Sequence, residues 1–293
     1  MAILLDQPRW PAHGTLWAHL VSDRSLTELH EFAARCGIPR RAFDLDHYDV
    51  PADRHAELVA AGALDVPGRE LIRRLRASGL RVRAADRAAR SALVRRWEEL
   101  LPGHPAVGEE LTGRWNEPHR SYHSLGHLAA VLDHLDLLAA DGEQVTRPVR
   151  LAAWFHDAVY EGSTPEDEHA SAELATRLLT PAVGVREAAE VARLVRLTVA
   201  HDPAADDAPG QALCDADLAV LSGDPAAYAG YAAQVRAEYA HVPDPEFRRG
   251  RAAVLRRLLD RPRLYRTATG VRRWETAARH NLRAEIDSLL AAG

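Results

Sequence analysis

The spacing of apolar residues changes character near residue 86. From about residue 87 onwards they recur at i, i+3, i+4 and i+7, which predicts a succession of helices. The candidates are residues 88–101, 122–140, 148–160, 165–179, 186–201, 211–222, 225–240, 245–260 and 272–291. Several starts carry signals. Thr164-Pro165 sets a capping oxygen before a proline, with Glu166, Asp167 and Glu168 in the first turn, and Asp224-Pro225 and Asp244-Pro245 repeat the arrangement. Residues 1–83 read differently. Ala2 to Leu5 is a short apolar run suited to a buried strand, and Phe43 to Val50 is strand-compatible until Pro51 breaks it. Ser25-Leu26-Thr27-Glu28 forms a capping box, and Gly37 sits where a helix C-terminal glycine belongs. Residues 56–61 and 69–77 look helical. The chain is thus mainly α: a small α/β domain over residues 1–86, then an all-helical bundle over 87–293.

Composition narrows the chemistry. All 37 basic residues are arginine, which removes Schiff-base chemistry and the P-loop lysine together. No two glycines lie two apart, so the dinucleotide fingerprint is missing, as are GxSxG and HExxH. A net charge of −5 gives no general attraction to nucleic acid. Cys36 and Cys214 are far apart and form no CxxC, against a disulfide framework or a zinc ribbon. The start has no basic segment leading into a long apolar one, and no run of about 18 apolar residues exists. Neither a signal peptide nor a membrane span is expected, and the cytoplasm is the favoured location.

Fifteen histidines remain to be explained. With 15 His and 22 Asp in 293 positions, about one His-Asp pair arises by chance, so the pair alone says little. Two occur. His201-Asp202 runs straight into Pro203 and ends a helix. His156-Asp157 lies inside Leu151 to Tyr160, apolar nearly all round, which predicts a buried helix. A buried histidine and aspartate need partners, and a divalent cation is one. His123 and His127, four apart, share one face of a predicted helix, and His127 borders the stripe Leu128, Val131, Leu132, Leu135. Asp217 shares a face with Leu213, Val220 and Leu221, whereas Asp215 points elsewhere. The stripe Val191, Leu194, Val195, Thr198 continues to His201. Four helices thus aim a His or an Asp at a common core.

The order His127, His156-Asp157, Asp217 resembles the HD superfamily of metal-dependent phosphohydrolases. Further segments are similar to one uncharacterised bacterial branch of it. They are Arg120-x-Tyr122-His123, Trp154-Phe155-His156-Asp157-x2-Tyr160, Glu168-x2-Ser171-Ala172, Thr198-x2-His201, Asp215-Ala216-Asp217-Leu218, Arg236-x-Glu238-Tyr239, Gly250-Arg251 and Ala278-Arg279-x-Asn281. The resemblance spans about residues 88–291, and residues 1–83 resemble a small bacterial domain of unknown function. It implies an HD-type bundle with His127, His156, Asp157 and Asp217 as metal ligands. Two imidazoles and two carboxylates suit Mn, Fe, Co, Ni, Zn or Mg, so the metal's identity stays open. The implied reaction is attack of metal-bound hydroxide on a phosphomonoester or phosphodiester of a small molecule, a nucleotide above all. His123 resembles the histidine that protonates the leaving oxygen. Arg120 is placed to grip a phosphate. Glu168 is a candidate to orient water or a ligand, and His201 to serve a second metal or to support a ligand.

Two other readings stay open. One is a di-iron oxygenase, which needs extra histidines between the His-Asp pair and the last aspartate, an interval holding only His169 and His201, with Glu168 adding a carboxylate. The other is a nucleotide-binding sensor without turnover. Tyr228, Tyr231 and Tyr239 read as core packing, and Arg236, Arg251, Arg279 and Asn281 as structural. His13, His19, Asp46, His47 and Asp49 raise a second-site question, but polar clusters on strand edges are common, and the sequence does not give their ligand count.

Overall fold

A computed structural model describes residues 2–12, 14–78, 80–81 and 84–291, with residues 84–88 as backbone alone. The chain divides into two compact units, residues 1–92 with 116–118, and residues 93–115 with 119–293.

The first unit is built on a mixed sheet. Its strands are β1 (Ile3–Leu5), β2 (Trp10–Ala12), β3 (Thr15–Ser22), β4 (Phe43–Asp44), β5 (His47–Pro51) and β6 (Leu64–Asp65). They run in the order β4-β5-β3-β1-β6, with β2 also on β3; β1 and β6 are parallel and the other pairs antiparallel. Helices α1 (Leu26–Arg35), α2 (His55–Ala60) and α3 (Gly68–Ala77) complete it. Successive strand residues face opposite sides. Leu5, Leu20, Tyr48 and Val50 pack with Leu29 and Phe32 of α1 and Leu58 of α2, whereas Leu4 and Val21 pack with Leu71 and Leu75 of α3. The Ser25 hydroxyl accepts from the Glu28 N–H at 3.1 Å, and Gly37 has φ 67°, as the capping signals predict.

The single strand expected over 43–50 is a hairpin. Leu45 adopts φ 62°, reversing the chain, and the Asp46 N–H donates to the Asp44 carbonyl at 2.6 Å. The sequence reading assigns no strand to β3. Ala18, Leu20, Val21 and Ser22 are all buried, so its second half lies between two packed faces and loses the alternation that marks a strand.

The second unit is helical: α4 (Ala84–Leu100, which begins in the first unit), α5 (Pro105–Arg114), α6 (Leu125–Ala140), α7 (Arg147–Phe155), α8 (Glu166–Val183), α9 (Val185–Leu197), α10 (Ala208–Leu218), α11 (Pro225–Glu238), α12 (Asp244–Leu259), α13 (Ala268–Arg273) and α14 (Glu275–Ala291). One core joins them, centred on Trp97, Trp115, Trp154, Phe155 and the buried stripes of α6 and α9. The Asp224 carboxylate caps α11 as expected, accepting from the N–H groups of Ala226 and Ala227. Thr164 and Asp244 cap no helix; Asp244 is itself the first helical residue. Helix α5 is absent from the predicted set because Gly108 and Gly113 weaken its signal. Gly108 has a packing reason: a Cβ there would lie 2.3 Å from the Trp97 ring.

Candidate metal centre

The predicted helix 148–160 stops at Phe155, and His156-Asp157 lies in the turn that follows. Tertiary partners take the backbone groups that a longer helix would use. Arg120 donates to the carbonyls of Asp157 (2.7 Å) and Ala158 (3.3 Å), and the Ser171 hydroxyl both accepts from the Val159 N–H and donates to its carbonyl. His156 Nδ1 meets the Ala153 carbonyl at 2.9 Å, so Nδ1 carries the proton and Nε2 faces inward.

His123 also departs from the expected helix. It precedes α6, because the Glu238 carboxylate gathers the N–H groups of Ser121, Tyr122 and His123 at 2.7, 2.8 and 2.9 Å and holds them in a turn. His127 follows on α6, buried beside the stripe that includes Leu128 and Val131. Asp217 lies in the last turn of α10. The helix predicted to reach His201 ends at Leu197, and His201 takes φ 49° with its carbonyl accepting from Arg261.

These elements bring His127, His156, Asp157 and Asp217 together. His127 Nε2 is 3.2 Å from His156 Nε2 and 3.0 Å from Asp217 Oδ1. His156 Nε2 is 3.2 Å from Asp157 Oδ2 and 3.5 Å from Asp217 Oδ1, and His127 Nε2 is 3.9 Å from Asp157 Oδ2. Donor atoms about 2.1 Å from one ion stand about 3.0 to 3.4 Å apart along the edges of an octahedron or a tetrahedron. The histidine-to-histidine and histidine-to-carboxylate separations are close to that scale, and His127, His156 and Asp157 each offer a donor atom within 4.8 Å of the other two, with Asp217 reaching the pair of histidines. Two imidazole Nε2 atoms at 3.2 Å also need a positive charge or a proton between them. Burial alone raises the Asp217 carboxyl, but the His156 charge and the surrounding histidine hydrogen bonds hold it well below its usual value. Burial lowers His156, yet Asp157 and Asp217 raise it well above the usual histidine value. One proton offsets one of the two carboxylates; a divalent cation offsets both. The donor set therefore fits a divalent ion.

The surrounding residues take distinct places. His201 Nε2 lies 2.7 Å from Asp217 Oδ2, so it holds the oxygen opposite the histidine pair. His123 Nδ1 lies 2.7 Å from Glu238 Oε2, while its Nε2 stands 4.0 Å from Asp157 Oδ2. Tyr160 stacks on the His123 ring at 4.2 Å and donates its hydroxyl to Glu238. Glu168 accepts from the Thr164 hydroxyl through Oε1, while its buried Oε2 has no hydrogen-bond partner among the described residues. Burial first, and the charge of Asp157 with it, push the Glu168 carboxyl up.

Arg120 is not the phosphate grip that its sequence position suggests. It is 1% exposed, its guanidinium lies between Trp115 and Tyr160, and its N–H groups serve the carbonyls of His123, Asp157 and Ala158. It positions the turn that carries His156 and Asp157. Glu238 is the residue whose role the sequence reading misses: its motif is visible, but the acceptor of three backbone N–H groups is a long-range partner. Asp215 turns away from the cluster and accepts from the N–H groups of Arg266 and Thr267. Arg251 with Glu285, Arg279 with Glu275, and Asn281 with the carbonyls of Leu221 and Gly223 are structural contacts. A cavity of about 250 Å³ beside His127 and Asp217 is lined also by Tyr122, Ser124, His134 and Gln234.

A family model described as a protein of unknown function (DUF4031) matches residues 3–78. No curated protein and no solved structure matches the chain. No helix among the described residues is long and apolar enough to cross a membrane.

Proposed function

We propose that the helical unit is an HD-type, metal-dependent phosphoric ester hydrolase. Its substrate is a small phosphomonoester or phosphodiester, of the nucleotide class that the sequence resemblance implies. The observation that carries this reading is the grouping of His127, His156 and Asp157, each offering a donor atom within 4.8 Å of the other two, with Asp217 Oδ1 3.0 Å and 3.5 Å from the two histidine Nε2 atoms. These four residues are the ones that hold the divalent cation. When bound, the ion supplies acidity to a water and positive charge against phosphate oxygens.

The chain's own residues divide the remaining work. Water oxygen forms the new bond to phosphorus, and the ester P–O bond breaks. Glu168 Oε2, buried with no hydrogen-bond partner among the described residues, takes the proton that the water gives up. His123, fixed through Nδ1 by Glu238, gives a proton from Nε2 to the departing oxygen. His201 keeps Asp217 in orientation, and Arg120 keeps Asp157 in register with His156.

The test is phosphate release from a panel of nucleotides and simple phosphoesters by protein loaded with Mn or Co ions. Turnover of at least one ester, abolished in His156→Ala and Asp217→Asn, is the expected result. Tight metal binding with no turnover across the panel contradicts the hydrolase and favours a sensor.

A further inference from the structure

A second cluster of ligand-type side chains lies in the sheet unit. The register explains it. Residue 19 of β3 stands opposite residue 49 of β5, and residue 47 lies two positions before 49, so His19, His47 and Asp49 emerge on one face. His47 Nε2 is 3.4 Å and His19 Nε2 is 4.0 Å from the same oxygen, Asp49 Oδ1. One donor atom from each residue lies within 4.8 Å of the other two.

Each histidine is oriented from behind by a carboxylate. Asp6 follows β1 and extends its pairing with β3; its Oδ2 lies 3.0 Å from His19 Nδ1, while its Oδ1 accepts the His19 N–H at 2.7 Å. Asp46, at the β-hairpin turn, lies 2.6 Å from His47 Nδ1. Both rings thus have Nδ1 engaged and Nε2 turned towards Asp49. That is the arrangement by which proteins fix an imidazole tautomer for a cation. The three donors also border a cavity of about 920 Å³, walled by Arg9, Arg69, Leu71 and Arg81, so an ion there has an open side. His13 lies outside the described residues.

We propose that His19, His47 and Asp49 form a divalent transition-metal site in the sheet unit, separate from the helical centre. Two imidazoles and one carboxylate on one side, with the other side open, suit Fe, Co, Ni or Zn ions. This inference does not depend on the hydrolase reading.

The experiment is a Co²⁺ titration of the metal-stripped, full-length protein, followed by the visible absorption of the bound ion. The Asp49 side chain is 47% exposed, so Asp49→Asn keeps the fold, which circular dichroism checks. The expected results are one equivalent fewer in Asp49→Asn and in His19→Gln, and about 10–100-fold weaker binding of that equivalent in Asp6→Asn. His156→Ala alters only the other site. If Asp49→Asn and His19→Gln bind as much Co²⁺ as the wild type, with the same spectrum, the cluster is an ion-pair network and the proposal is wrong.

Discussion

Glu238 Oε2 sits 2.7 Å from His123 Nδ1, although 115 residues separate them. The other Glu238 oxygen accepts the backbone N–H groups of residues 121 to 123. One carboxylate therefore both shapes the turn before α6 and aims the imidazole towards the cluster of His127, His156 and Asp157. His123 as general acid predicts a dependence on the leaving group. His123→Ala should lose about 10²-fold or more of kcat on an alkyl phosphoester, and far less on a nitrophenyl ester, whose leaving oxygen needs no proton. Equal losses on both would assign His123 a structural role.

The same contact sets an acid-stability signature. Burial raises the Glu238 carboxyl, but hydrogen bonds from His123 and the backbone outweigh it and bring the group down to about 2. A carboxyl lowered on folding contributes stability that is complete above its ordinary 4.5 and is lost as pH falls towards about 2. Urea midpoints of the wild type should fall between pH 5 and pH 3 more steeply than those of Glu238→Gln. Parallel curves would show that Glu238 contributes nothing to that slope.

Arg120 should behave as a positioning residue. Lysine cannot reproduce a planar fork that reaches three carbonyls between two aromatic rings. Loss of two charge-assisted hydrogen bonds makes Arg120→Lys less stable by about 3 kcal/mol or more. In the folded variant, metal affinity and kcat should fall while KM stays near wild type. A raised KM with unchanged metal affinity would return Arg120 to the substrate.

Gly108 tests the core independently of chemistry. The Trp97 ring that a methyl would meet is pinned by its Nε1–H bond to the His104 carbonyl at 2.9 Å and by edge contact with Trp154 at 5.1 Å. Gly108→Ala should destabilise by about 1–3 kcal/mol through overpacking, although alanine is the better helix former. Thermal or urea unfolding reads the sign directly, and a stabilised variant would contradict this packing.

The legible features were local ones. Helical spacing exposes the inward stripe of α6, and the same reasoning singles out Asp217 over Asp215, whose carboxylate accepts from Arg266 and Thr267. Tertiary contacts were hidden. Nothing near Phe155 marks the end of α7, because Arg120 and Ser171 satisfy the following turn from distant positions. Arg120 looks like a phosphate ligand in sequence, since burial and carbonyl acceptors are invisible there. In the sheet unit, His19 and Asp49 become neighbours only through strand register, and β3 hides its period because both faces are packed.

In the proposed hydrolase, His127, His156, Asp157 and Asp217 hold one divalent ion. Equilibrium dialysis of metal-stripped protein against Co²⁺ counts that ion. The wild type should bind one more tight equivalent than either His156→Ala or Asp217→Asn, with all three folded. Equal stoichiometry and affinity in the three proteins would show that these side chains hold no such ion.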